Sequence, residues 1–149
     1  MFKHILLPTD GSEYSNKAVT EAIEVAKAFG AKITALHIVD SYHLVLQDEG
    51  FGLPQLETLK NRVEQEKAAR ARKILGSVEN AVKTAGVECD AIVATSDAPY
   101  EMIVDQATRF KCDLIVMASH GRRGLEGILL GSETQKVLTH SKIPVLVCR

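Results

Sequence analysis

Apolar residues in this chain fall into short, nearly continuous runs, and longer stretches with helical spacing separate them. The runs at 4–8, 31–39, 87–94, 113–118 and 143–148 are the length of buried strands and rich in Ile, Val and Leu. Between the first two, apolar positions 18, 19, 22, 23, 26 and 29 recur at helical intervals, and Gly30 supplies a stop. From about 56 to 85, Val63, Ala71, Ile74, Leu75, Val78, Val82 and Ala85 share one face opposite Lys, Arg and Glu, with Gly86 closing the helix. Asp97 as an acidic N-cap and Pro99 just after it open a helix running to about Phe110. A last short helix is predicted over 132–140. The stretch from Asp40 to about Pro54 contains Gly50, Gly52 and Pro54 and reads as an irregular loop, placed to act as a lid.

Strands that alternate with helices and are apolar on both faces predict an α/β fold: a doubly wound five-stranded parallel sheet with helices on both faces. Strand order 3-2-1-4-5 is expected, which makes the gap between the first and fourth strands the topological switch point. Residues 9–12, after the first strand, and 119–131, after the fourth, then lie side by side at the carboxyl edge. The second of these loops holds Gly121, Gly124, Gly127 and Gly131 and leads into Ser132-Glu133-Thr134-Gln135. The glycines are expected to allow positive φ and close backbone approach, with Ser132 as N-cap and Gln135 reaching back in a capping box. A helix N-terminus behind such a loop offers unpaired N–H donors, so an anion is its natural occupant.

A chain of 149 residues, 46% hydrophobic and 25% charged, is expected to form one domain spanning 1–149. Its net charge of −1 creates no general field for nucleic acid or an anionic membrane. The N-terminal apolar run is cut short by Pro8 and Asp10, so no membrane span is expected there. Cys89, Cys112 and Cys148 match no zinc or CxxC spacing and read as reduced structural thiols of a cytoplasmic protein. His4, His37, His43 and His140 have no metal-ligand spacing, and Asp40 reads first as a turn former.

The segments Ile5-Leu-Leu-Pro-Thr-Asp-Gly-Ser12, Leu36-His-Ile-Val-Asp40 and Met117-Ala-Ser-His-Gly-Arg-Arg-Gly124 through Leu130-Gly-Ser132 closely resemble the universal stress protein family across the whole chain. ATP-binding members carry a glycine, two residues, a second glycine, nine residues, then Gly-Ser or Gly-Thr. Gly121 and Gly131-Ser132 match that pattern, while Ala118 stands where the first glycine is expected. The resemblance implies that Pro8, Thr9 and Asp10 border an adenosine and that the Ile38 backbone meets the adenine. It further implies that Ala118, His120, Gly121 and Arg122 line the ribose and phosphates. Gly131, Ser132, Glu133 and Thr134 would present helix N-terminal donors to the phosphate chain. ATP is the implied cofactor, with Mg2+ as a companion of the nucleotide. A homodimer through antiparallel pairing of the last strand is implied as well.

Walker GxxxxGK[ST], kinase HRD and DFG, and GxSxG motifs are all missing, so a binding role with at most slow hydrolysis ranks above an enzyme. The competing reading is a dimer of the same fold that works through protein contacts without nucleotide. Plain structural roles stand beside each functional one: Asp10 fixing a turn, His120 bonding loop backbone, and Arg122 and Arg123 as solvated charges. Neither the stress signal nor the downstream protein partner is written in these residues.

Overall fold

The computed structural model describes residues 1–41, 52–121 and 130–149. Strands β1 (His4–Pro8), β2 (Lys32–Val39), β3 (Cys89–Thr95), β4 (Leu114–Ala118) and β5 (Val145–Cys148) alternate with helices α1 (Glu13–Phe29), α2 (Leu53–Thr84), α3 (Pro99–Arg109) and α4 (Ser132–His140). The sheet has the order β3-β2-β1-β4-β5, and every pairing is parallel. This is the expected doubly wound arrangement.

Alternation along β1 shows how the strands are buried twice. Ile5 and Leu7 join a core with Ala18, Ala22, Ile33, Leu75 and Val82 beneath α1 and α2. Leu6 points the other way, to Leu36, Ile103, Ala107, Ile115 and Val137 beneath α3 and α4. Ala18, Ala22 and Ala26 are small enough to bring α1 close to the sheet, and Gly30, at φ +64°, ends that helix in the left-handed conformation.

The β1–β4 contact that creates the switch point is short. Asp113, just ahead of β4, accepts from the Lys3 and His4 amides at 2.8 and 3.0 Å, and its own amide donates to His4 O at 2.9 Å. Only Ile5↔Leu114 and Leu6↔Ile115 are then in register, whereas β1 and β2 stay paired from His4 to Pro8. The amino ends of β1 and β4 are clamped and their carboxyl ends part.

Several expected boundaries move. The third helix takes Ala98 as its N-cap, without a side-chain bond, rather than Asp97. Asp97 Oδ1 instead accepts from the Ser41 amide at 2.9 Å, joining the ends of β2 and β3. The second helix begins at Leu53, because Pro54 occupies a first-turn position where its missing N–H costs nothing. The lid expected over 40–54 lies outside the described residues from 42 to 51, as does His43.

His4 is buried against Thr34, with Nε2 2.7 Å from Oγ1. Burial, and then the positive charge of Lys32, lower its pKa from 6.5. The unfolded chain therefore takes up a proton at a pH where folded His4 resists it. The His4 contribution to folding stability is present above about pH 6.5 and is lost as pH drops below it. Urea unfolding from about pH 8 down to pH 5 should show a declining midpoint, with a shallower decline in His4→Asn.

Candidate functional site

Past Pro8, β1 makes one more ladder bond, from the Thr9 amide to Leu36 O at 2.9 Å, and then turns away. The turn is held from inside. Thr9 Oγ1 donates to Ser15 Oγ at 3.1 Å, Thr9 O lies 2.9 Å from His37 Nδ1, and Asp10 Oδ1 accepts from the Ser12 amide at 2.9 Å. Asp10 thus fixes an Asx-type turn, and Ser12 caps α1 through the Ser15 amide. Gly11, at φ +76°, is the residue here that needs the left-handed conformation, and an added Cβ would meet Ile74 of α2 at 2.8 Å.

The departure of β1 exposes β2. Leu36 and Ile38 direct their backbone polar groups toward β1, whereas Val39 faces β3, where its carbonyl accepts from the Ser96 amide at 3.0 Å. Beyond the Thr9–Leu36 bond, the Ile38 N–H and C=O have no ladder partner among the described residues.

On the other side of the gap, Ala118 ends β4 with extended backbone, so the residue in place of the expected glycine carries no conformational strain. The Ser119 amide donates to Cys148 O at 2.7 Å, and Ser119 O accepts from the Gly131 amide at 2.7 Å. Thr134 Oγ1 reaches Ala118 O at 3.1 Å and Ser119 O at 3.4 Å. These bonds fasten the first turn of α4 to the end of β4.

Three expectations for this loop are corrected. Gly131, not Ser132, is the N-cap, because Gly131 holds the extended φ −66°, ψ 152° conformation and Ser132 is already helical. No capping box forms: Gln135 Nε2 donates to Leu130 O at 3.2 Å. Nor do Gly121 and Gly131 take positive φ; among the described glycines only Gly11, Gly30 and Gly86 do. What they provide is closeness. A Cβ on Gly131 would lie 3.2 Å from Ser119 O, and one on Gly121 would lie 2.7 Å from Asp10 Oδ2, so the two loops meet there. Gly124 and Gly127 lie outside the described residues.

The Ser132, Glu133 and Thr134 amides are left without a partner among the described residues. Glu133 turns its carboxylate aside: Oε2 accepts from the Tyr100 amide at 2.9 Å, covering the open end of α3, and Oε1 pairs with Lys136 at 3.0 Å. Of the residues singled out from sequence, Pro8, Thr9, Asp10 and Ile38 line one side of a single cleft of about 770 Å3. Ala118, His120, Gly121, Gly131, Ser132, Glu133 and Thr134 line the other. Arg122 and Arg123 lie outside the described residues.

Leu36, Ile103 and Met117 contribute apolar lining, and Ser15, Pro99, Asp40, Ser96 and Asp97 also border the cleft. Ser96 and Asp97 were missed as site residues, yet they follow β3 at the same carboxyl edge, which was the available signal. The volume is in the usual range for a small-molecule site, roughly 300–1,000 Å3. Among the described residues no group of three or more His, Cys, Asp or Glu is placed to hold a metal.

These features define a Rossmann-like α/β protein whose switch-point cleft ends on the open amides of a helix. A model of the universal stress protein family matches residues 1–149, and the chain belongs to that family. It is 34% identical to universal stress protein MJ0531 of Methanocaldococcus jannaschii, over 100% of this chain and 83% of that protein. It is 33% identical to a universal stress protein of Thermus aquaticus, over the full length of both. The structure of MJ0577 from M. jannaschii superposes with a TM-score of 0.82 at 29% identity, covering 99% of this chain and 96% of that one. A universal stress protein solved in complex with cAMP superposes with a TM-score of 0.69 at 26% identity, covering 99% and 97%.

The Thr134 hydroxyl should matter to the fold at this edge. Thr134→Val keeps the side-chain shape but removes a buried donor from two carbonyls, and should lower unfolding free energy by about 1–2 kcal/mol in denaturant titration. Helical content should be nearly unchanged.

Proposed function

We propose that this protein binds an adenine nucleotide, ATP above all, in the switch-point cleft and acts as a homodimeric regulator in the response to stress, with at most slow hydrolysis. The observation that carries this reading is the convergence of the three open α4 amides with the unpaired Ile38 backbone in one cleft of suitable volume. The complementarity runs along the cleft. The end of β2 offers an amide donor and a carbonyl acceptor to a base edge, and the α4 end offers donors and the positive pole of a helix to phosphates. Three charge-assisted hydrogen bonds at about 1.5–3 kcal/mol each supply on the order of 5–9 kcal/mol, enough for millimolar to micromolar affinity before the base contributes. The cAMP complex of a family member with this fold supports a nucleotide as the ligand class.

In this reading Asp10 borders the adenosine while holding its own loop, and Gly121 and Arg122 approach the phosphates. Mg2+ arrives with the nucleotide. The dimer forms through β5, an edge strand on which Leu146 is exposed. Placement in the cytoplasm rests on three free, buried cysteines, which suit a reducing compartment. Burial pushes the Cys89 and Cys112 thiols up to about 11 and raises that of Cys148 as well, which removes them from thiolate chemistry near neutrality.

Mass spectrometry of protein denatured directly after purification should release an adenine nucleotide, and titration should show ATP binding. Gly131→Val should reduce that affinity at least about 10-fold, since its Cβ would lie 3.2 Å from Ser119 O and 3.5 Å from His120 Cα and so push the start of α4 away from the end of β4. Circular dichroism should confirm retained helix. No bound nucleotide together with no binding at millimolar ATP would leave a dimer acting through protein contacts alone; rapid multiple-turnover hydrolysis would make the protein an enzyme.

A further inference from the structure

His120 carries the buried side-chain polar atom that has no partner among the described residues, Nε2. Its other ring nitrogen, Nδ1, lies 3.0 Å from Ser119 Oγ, and Ser119 is only 2% exposed. Which of the two donates is decided by where the unmet donor is left. If Nδ1–H donated to Ser119, the hydroxyl proton would lack an acceptor on a side chain that is almost fully buried. If the Ser119 hydroxyl donates to Nδ1, that proton is satisfied and the unmet donor becomes the Nε2–H of His120. His120 lines the cleft, and its Cα sits 3.5 Å from where a Gly131 Cβ would stand, beside the residue that opens α4. The Tyr14 ring, 5.8 Å from the imidazole between centroids, packs against it as well.

The geometry points to Ser119 as a positioning residue that fixes the tautomer of His120, so that the neutral imidazole presents Nε2–H to a phosphate oxygen of the bound nucleotide. This rests on the nucleotide-binding reading and deepens it: a side-chain donor joins the three α4 amides. Ser119 suits the task because its backbone is held at both ends, its amide by Cys148 O and its carbonyl by the Gly131 amide and Thr134 Oγ1, so its hydroxyl has a fixed origin. The buried donor without a partner is then a preorganised group, and a ligand oxygen satisfies it.

Nitrogen NMR of 15N-histidine-labelled, ligand-free protein at about pH 8.5, where imidazoles are ordinarily neutral, reads the tautomer directly. His120 should be protonated at Nε2, with Nδ1 a hydrogen-bonded acceptor, and Ser119→Ala should shift the Nδ1 resonance or populate the second tautomer. A native protein protonated at Nδ1, or an Nδ1 resonance indifferent to Ser119→Ala, overturns the inference whatever the ligand. On adding ADP, the His120 Nε2–H and the Ser132, Glu133 and Thr134 amides should move together.

If those amides respond and Nε2–H does not, the nucleotide reading stands and this inference fails; if none responds at millimolar ADP, both fail. Ser119→Ala should weaken ADP binding about 5-fold, the loss of roughly one modest hydrogen bond. In a His120→Gln background, whose amide is a donor independent of Ser119, the same change should cost less than about 2-fold. Equal losses in both backgrounds would show Ser119 acting only on structure and overturn its assignment.

Discussion

The Asp113 carboxylate grips the amides of Lys3 and His4, while its own amide bonds to His4 O, and this clamp holds the amino ends of β1 and β4 together. Two residue pairs later the strands separate, because the chain leaves β1 for α1 on one face of the sheet and leaves β4 for α4 on the other. A parallel sheet cannot close that gap with backbone alone, since the crossovers on either side pull in opposite directions. The cleft at the carboxyl edge is a consequence of topology, and the clamp holds the opposite ends of the two strands together.

What lines the gap is equally constrained. Backbone groups released at a strand end need partners, and here most find them locally: Thr9 with Leu36 and His37, Ser119 with Cys148 and Gly131, and the Ala118 and Ser119 carbonyls with the Thr134 hydroxyl. Among the described residues, the groups left over include the Ile38 N–H and C=O on one wall and the first-turn amides of α4 with His120 Nε2 on the other. Glu133 is essential to that outcome, because a carboxylate facing its own helix terminus would occupy the positive pole, and by covering the end of α3 it keeps the α4 terminus open.

The sheet order and the two loops at its carboxyl edge were legible because they rest on short-range signals: the length of apolar runs, helical spacing after Gly11, and a glycine loop between strand and helix. Errors fell where tertiary contacts chose between local options. Ser132 looked like a cap, but the Gly131 amide is drawn onto Ser119 O, which places the extended residue one position earlier. Asp97 looked like a cap too, yet its carboxylate serves Ser41, a residue 56 positions away that no local pattern connects to it. Of the two purposes expected of the loop glycines, close approach holds at Gly121 and Gly131 and positive φ does not, since sequence shows a missing side chain but not whether the space or the dihedral angle requires it.

Ala118 brings these constraints together. A glycine at that point would be needed if the chain had to turn with positive φ, but β4 continues as ordinary strand through Ala118, and the turn begins only after Ser119 has bonded to β5 and α4. Its methyl replaces a hydrogen in a position 8% exposed at the cleft wall, so its effect is one of shape rather than folding. The open first-turn amides of α4 lie further along, on backbone whose course Gly121 and Gly131 keep close to Asp10 and Ser119. The openness of the α4 terminus is therefore separable from the identity of residue 118, which shapes only the cleft wall at the end of β4.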